Sequence, residues 1–404
     1  MKLACVIHRF GPDIAGGSEA HCRAVAEHLA DRHDITILTS CARDHVTWRN
    51  EYPPGPSALG RLQVVRFPSV RQRSLARFAE ISNRVFAGIA SEAEQEQWFR
   101  ENGPEVPALV DYLREHGASF DLILFWAYRY YHAFFGLPVV AKRAILVPTA
   151  EEDPTIDLDV LSRFFRLPAG FVFMTPEERD LVALRVQQPL APSCTIGCGI
   201  DPPPEVGNDL AALGVAPPYA LYLGRIDPNK GCRTLIRHMQ QFHAQAPPAL
   251  RQVPLVLAGP ASMPLPEHPL IVATGHVSES ARDTLLAHAA ALIVPSPYES
   301  LSMVLLEAWN YGVPALVNAH CAVLKGQALR ADGALYYRDA AEFVRGLTLL
   351  LERPDVAAQL GAQGRAYIDR EYRWPRVMDT LEAFLASRAG PTGTARAAAS
   401  SARA

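Results

Sequence analysis

Long apolar runs are missing from this sequence. No stretch approaches the ~20 successive apolar residues that a membrane-spanning helix needs. The opening MKLACVIHRF carries one short apolar run and then charge, too little for the core of a signal peptide. An excess of one charge is missing too: 39 Lys and Arg stand against 42 Asp and Glu, a formal net charge of −3. That balance excludes a chain whose whole surface binds nucleic acid. Cysteine is sparse and scattered, with seven at Cys5, Cys22, Cys41, Cys194, Cys198, Cys232 and Cys321. An odd number without framework spacing fits a reducing, cytoplasmic setting. Cys194 and Cys198 have no second Cys or His pair at zinc spacing, so no metal site is expected. Apolar residues make up 49% and charged residues 20% of 404, enough for the cores of two or three globular domains.

The pattern along the chain is an α/β alternation, met twice. LACVIH reads as a strand, RFGPDIAGGSEA as a Gly-rich loop, EAHCRAVAEHLADR as a helix and DITILTS as the next strand. LQVVRF, DLILFW, RAILVP and GFVFMT continue the strands, with helical segments at 75–101 and 106–116 between them. The proline-rich 201–218 reads as a linker. Strands then recur at YALYLG, VPLVLAG, LIVATG, ALIVPS and PALVN, and their near-continuous apolar runs mark burial on both faces. The expected fold class is therefore α/β, two doubly wound Rossmann-like domains: 1–205 and 206–368. A helical stretch over 355–388 is interrupted or restarted at Pro375, and the low-complexity end, 389–404, is expected to be disordered. Two such sheets whose strand carboxyl ends face each other form a cleft in which a ligand touches both halves.

The densest chemistry lies in VPSPYESLSMVLLEAWNYGVPALV, 294–317. A buried strand ends near Pro295, a short loop holds Glu299, Ser300, Leu301 and Ser302, and a helix runs on to Gly312. Such a loop offers backbone N–H groups and the positive end of a helix dipole to a phosphate. Glu299 and Glu307 sit about two helical turns apart, where they suit hydroxyls of an extended ligand, since a carboxylate repels the phosphate itself. Taken alone, Glu307 also reads as a solvated helix residue and Glu299 as a capping acid. In LYLGRIDPNKG, 221–231, a strand ends at Gly224 and the following loop carries Arg225 and Lys230. Two fixed cations there can neutralise a diphosphate, or can be ordinary surface charges. Gly16 and Gly17 let the backbone turn closely before a helix, as many plain loops also do; the pattern is not GxGxxG.

With these motifs together the sequence resembles the family-4 retaining glycosyltransferases, which have the GT-B fold. The resemblance rests on Gly16-Gly17, GCGID at 197–201, GRIDPNKG, GHVSES at 275–280 and the Glu299–Glu307 pair, and it covers roughly 1–388. It implies that Arg225 and Lys230 bind the donor diphosphate and stabilise the leaving group, and that Glu299 contacts the transferred sugar. Backbone N–H groups of Ser300, Leu301 and Ser302 would contact phosphate, Glu307 the ribose hydroxyls, and Val277 would lie near the base. Gly16 and Gly17 would border the donor phosphate and the acceptor. The first domain would serve the acceptor, the second the nucleotide sugar, and the helix 369–388 would return to the first.

One departure stands out. Many relatives carry a histidine after the strand that here reads LVPTAEEDP; this chain has Glu151, Glu152 and Asp153. The expected reaction moves a sugar from a nucleoside-diphosphate sugar to a hydroxyl acceptor (glycan, small molecule or lipid-linked) with retention, and needs no cofactor and no essential metal. DLD at 157–159 matches the letters of a metal element but follows no strong strand. The alternative is a catalytically silent GT-B partner subunit that binds the same nucleotide sugar. Arg61, Arg66, Arg71, Arg73, Arg77 and Arg84, beside Leu75, Phe78, Ile81 and Val85, form a basic surface for a peripheral membrane contact or an anionic acceptor, or else a solvated helix with a packed side. Trp98, Trp126 and Tyr128 are candidates for stacking on an acceptor or for core packing. Donor base, sugar, acceptor and oligomeric state are not encoded in any motif.

Overall fold

A computed structural model describes residues 1–14, 16–207 and 210–389. They form two compact units, one of 1–198 with 375–389 and the other of 199–374. The tail expected from 389 onward keeps one described residue, Ala389, which closes a helix; 390–404 lie outside the described residues.

The first unit runs β1 (Lys2–Ile7), α1 (Gly17–Leu29), β2 (Asp34–Ser40), β3 (Gly55–Leu59), β4 (Leu62–Phe67), α2 (Leu75–Phe86), α3 (Glu92–Asn102), α4 (Pro107–His116), β5 (Leu122–Trp126), α5 (Tyr131–Gly136), β6 (Ala144–Val147), α6 (Asp159–Phe164), β7 (Gly170–Phe173), α7 (Pro176–Val186) and β8 (Ser193–Thr195). Its sheet order is β3-β4-β2-β1-β5-β6-β7-β8, parallel except for the β3–β4 hairpin. The sequence reading missed β3 and β8. β3 is a largely exposed edge strand and β8 is three residues long, so neither carries a buried apolar run. The helix expected over 75–101 is two helices. The chain reverses at Gly88, with φ +69°, and restarts at Ser91, whose hydroxyl and Glu94 form a reciprocal cap.

The second unit contains β9 (Ala220–Leu223), α8 (Cys232–Gln245), β10 (Leu255–Ala258), β11 (Ile271–Gly275), α9 (Glu279–Ala287), β12 (Ala291–Val294), α10 (Met303–Asn310), β13 (Ala315–Asn318), α11 (Ala322–Ala331), β14 (Ala334–Tyr337), α12 (Ala340–Glu352) and α13 (Pro354–Glu371). Its six strands lie in the order β11-β10-β9-β12-β13-β14, all parallel. β9, β10 and β12 are buried throughout, as their apolar runs demand. The last helix, α14 (Trp374–Ala389), begins after a break at Tyr372–Arg373, with Pro375 in its first turn, where a missing N–H is harmless. From 375 on it belongs to the first unit: Phe384 fills the space beside Gly170 of β7, and Glu382 accepts a 2.8 Å bond from Arg32.

Each sheet has a point where strand order reverses. In the first, β1 lies between β2 and β5; in the second, β9 lies between β10 and β12. Crevices at the carboxyl ends of such strands are the usual ligand sites of open α/β sheets.

Candidate active site

At the reversal point of the second sheet, close backbone approaches dictate which residues the loops can contain. Gly224 follows β9 with φ +138°, and Gly259 follows β10 with φ +142°. A Cβ on Gly259 would lie 2.1 Å from the Gly224 carbonyl oxygen. Asp227 then turns the loop, accepting 2.8 Å bonds from the Asn229 N–H and the Ser262 hydroxyl. Burial opposes the Asp227 charge, but these donors outweigh it and hold the carboxyl below its usual range. Gly231 caps α8 with φ +78°, and a Cβ there would come within 2.4 Å of the Pro295 carbonyl oxygen, just past β12. Only glycine lets these two loops touch, and the contact sets Lys230 beside the loop after β12.

Lys230 and Glu299 meet as a result: Nζ lies 2.9 Å from Oε1. Arg225 Nε lies 3.4 Å from Asp227, with its side chain about half exposed at 48%. Glu307, on α10, is ion-paired with Arg282 of α9. Burial disfavours the Arg282 charge, yet Glu307 more than offsets this and raises the guanidinium pKa. Around Glu307, the expected core residues Leu305, Leu306 and Trp309 are buried. Trp309 Nε1 donates to the Gly333 carbonyl at 2.8 Å, and α13 packs close: a Cβ on Gly361 would lie 1.8 Å from the Gly312 oxygen. Val277 is half-buried in the loop between Gly275 and Ser278, whose hydroxyl caps α9. The Ser302 amide donates to Gln327 Oε1 on α11 at 3.2 Å, so this expected phosphate contact is engaged by a side chain. Leu301 and Ser302 are buried, and Ser300 precedes them in the same loop.

Gly16 and Gly17 lie in the first unit, where Gly16 caps α1. A carboxylate already faces this helix end: a Cβ on Gly16 would lie 2.4 Å from Glu19 Oε2. Glu19 accepts from the Ser18 hydroxyl at 2.7 Å and His8 Nε2 at 3.0 Å, and is ion-paired with Arg9. Burial raises its pKa, but His8 and Arg9 overcome this and hold the carboxyl far below the usual range. His8 stacks on Tyr130 at 3.9 Å between ring centroids. Sequence reasoning missed this cluster, because His8 and Arg9 come from β1's end and Glu19 from a helix. It also missed Arg129, whose Nη2 lies 2.7 Å from Asp153 and 3.6 Å from Glu151. β5 and β6 are paired neighbours, so the acids that replace the expected histidine are met by a cation from the adjoining strand end.

The aromatic candidates have structural occupations, and five of the six arginines have side-chain partners, while Arg77 is exposed on α2. Trp98, Trp126 and Tyr128 are at most 3% exposed, which is the core reading and leaves no face for an acceptor. Among the arginines, Arg61 pairs with Asp31, Arg71 with Glu101 and Glu105, and Arg84 with Glu94. Arg73 is bonded to Asn102 and stacks on Trp48, and Arg66 bonds Ser57 and the Phe10 carbonyl. Among the described residues no helix is long and apolar enough to cross a membrane, and no group of three or more His, Cys, Asp or Glu is arranged to hold a metal ion.

The family model described as Glycosyl transferases group 1 matches residues 217–353. The search against curated proteins found no match. Similar solved structures include a sucrose-phosphate synthase from Thermosynechococcus elongatus, 18% identical over 96% of this chain and 99% of that one, with a TM-score of 0.72. An Escherichia coli trehalose-6-phosphate protein bound with UDP-2-fluoro glucose is 13% identical over 96% and 99%, with a TM-score of 0.70. HepE of Anabaena, in complex with UDP and glucose, is 15% identical over 96% and 100%, with a TM-score of 0.69. The fold is thus GT-B, and the glycosyltransferase group 1 match falls on the unit that carries Arg225, Lys230, Glu299 and Glu307.

Proposed function

We propose that this protein is a retaining glycosyltransferase of the family-4 kind, moving a sugar from a nucleoside-diphosphate sugar to an acceptor hydroxyl. The second unit takes the nucleotide sugar and the first the acceptor. The observation that carries the reading is the Lys230–Glu299 pair at the reversal point of the second sheet, beside the loosely held Arg225. A lone surface lysine needs no such glycine-enforced placement.

In the reaction, the bond from the anomeric carbon to the diphosphate oxygen breaks and a bond to the acceptor oxygen forms on the same face. The acceptor proton passes to the departing phosphate. Negative charge grows on the diphosphate as the sugar becomes oxocarbenium-like. In this reading Arg225, Lys230 and the N-terminus of α10 meet that charge, a type of contact worth roughly 3–4 kcal/mol per donor. Transfer of Lys230 from Glu299 to the diphosphate frees a carboxylate to accept sugar hydroxyls. Glu307 takes the ribose hydroxyls, and Val277 lies toward the base. No essential metal is required, because the cations supply the charge. In the first unit Glu19 stands where a phosphate would face α1, so Gly16 and Gly17 are assigned to the acceptor side.

UDP-glucose is the first donor to test, since solved structures with this fold hold UDP, glucose or a fluorinated UDP-glucose. The assay follows UDP release and glucosylated product by mass spectrometry over glycan, small-molecule and lipid-linked acceptors, with other nucleotide sugars in parallel. Transfer that falls by roughly 10²-fold or more in Arg225→Ala supports the reading. Tight binding of a nucleotide sugar without turnover on any acceptor favours the silent-subunit alternative, which the Glu151 position motivates.

A further inference from the structure

The Glu299–Lys230 pair has a counterpart that no motif announced. Arg282 sits on α9, the helix that follows the Val277 loop, and its Nη2 is ion-paired with Oε2 of Glu307 on α10. Each of the two acids in the second unit is therefore met by one cation from a preceding loop or helix. The two pairs differ in what is near them. Lys230 shares its loop with Arg225, whereas Arg282 stands at the other acid, next to the loop that carries Val277.

We propose that Arg282 is a positioning residue for the nucleoside part of the ligand: it fixes the Glu307 carboxylate so that the vicinal hydroxyls of a ribose are read. This rests on the donor assignment made above for Glu307. A carboxylate has two oxygens and about four acceptor positions. With Oε2 held by Arg282, the carboxylate plane cannot turn freely, and Oε1 keeps its acceptor capacity for ligand hydroxyls. Glu307 is about one-fifth exposed and Arg282 about one-third, at 19% and 32%, so both are reachable and only partly screened by water. Hydrogen bonds to an ionised acceptor are stronger than those to a neutral one, and a carboxylate already held in place loses less freedom when the ligand binds. The pair also ties α9, the helix after the Val277 loop, to the Glu307 helix, so the base side and the ribose side of the ligand share one fixed frame.

The consequence is selectivity for ribose over deoxyribose. The test is isothermal titration of the full chain with UDP and with 2′-deoxy-UDP, for wild type, Arg282→Ala and Arg282→Lys, with thermal melts to show that each variant is folded. Wild type is expected to favour UDP by roughly tenfold, the scale of one hydrogen bond to a charged acceptor. Arg282→Ala should reduce that ratio to less than about threefold while affinity for 2′-deoxy-UDP changes little; Arg282→Lys should keep part of the preference. A folded Arg282→Ala protein that retains the tenfold ratio overturns the assignment. So does one that binds UDP more tightly than wild type, because Arg282 would then be a competitor for Glu307. If wild type binds neither nucleotide nor any other nucleoside diphosphate, the donor reading fails and this inference falls with it. If wild type binds both equally, binding of a nucleoside diphosphate stands, but the ribose assignment of Glu307 fails and the role of Arg282 fails with it.

Discussion

Arg225 is loosely held, 3.4 Å from Asp227 and half exposed, which suits a group that must turn to a ligand. Arg225→Ala is expected to lower kcat by roughly 10²–10³-fold, the range seen when one charge-stabilising donor is removed, with a much smaller change in donor affinity. A steady-state comparison of kcat and KM checks this. His21 supports a different prediction. It is buried, with Nε2 donating to the Gly197 carbonyl at 2.9 Å and Nδ1 accepting from Trp126 Nε1 at 3.0 Å. Both nitrogens are committed to the neutral tautomer, and burial outweighs the Gly197 bond and lowers its pKa to about 4. A base whose folded pKa is depressed stabilises the fold above its unfolded pKa, and that contribution is lost as pH falls. Between pH ~6.5 and ~4, wild type should lose on the order of 3 kcal/mol relative to His21→Gln. Urea melts of both proteins across that window measure it. The letters of GRIDPNKG and of Glu299 and Glu307 were legible because each motif is contiguous. Arg282, Gln327, Arg129 and the His8–Arg9–Glu19 cluster were not, because each joins side chains from separate elements that only the sheet order brings together.

Among the elements, the helix carrying Glu307 depends on glycines in α13. Gly361→Ala would push a methyl to within 1.8 Å of the Gly312 oxygen and Gly364→Ala to within 2.3 Å of Trp309. Each should destabilise the protein by about 1–3 kcal/mol or more, read as a lower Tm, with α10 displaced and nucleotide affinity reduced. Gly231→Ala combines a left-handed φ with a 2.4 Å approach to the Pro295 oxygen, and should separate Lys230 from Glu299 even where the chain still folds. These glycines look like ordinary helix and loop residues in the sequence; their demands appear only when the neighbouring backbone is in place. Buried strands such as β5, β9 and β12 were legible from apolar runs. β3 and β8 were not, and β14, with its half-exposed ALYY, was passed over for the same reason. The long helical stretches were seen, and Pro375 marked the break at 372–373; the interruption at 87–91 was not seen, because it depends on local capping and not on hydrophobic period.

For the whole chain, two doubly wound sheets followed from the repeated alternation of strand and helix, and the fold of the similar solved structures agrees with it. Ligand that binds only the folded protein must stabilise it. At a concentration of 100 Kd, a nucleoside diphosphate should add about 2.7 kcal/mol, visible as a rise in Tm. The central claim is that Arg225, Lys230, Glu299 and Glu307 together form one nucleotide-sugar site. The most direct measurement is calorimetric titration of UDP-glucose and UDP, and then of other nucleotide sugars, into wild type and into Arg225→Ala/Lys230→Ala. Binding of one nucleotide sugar by wild type, weakened at least about tenfold in the double variant, is the predicted result. Equal affinity in both proteins, with the variant's melt unchanged, would contradict the account.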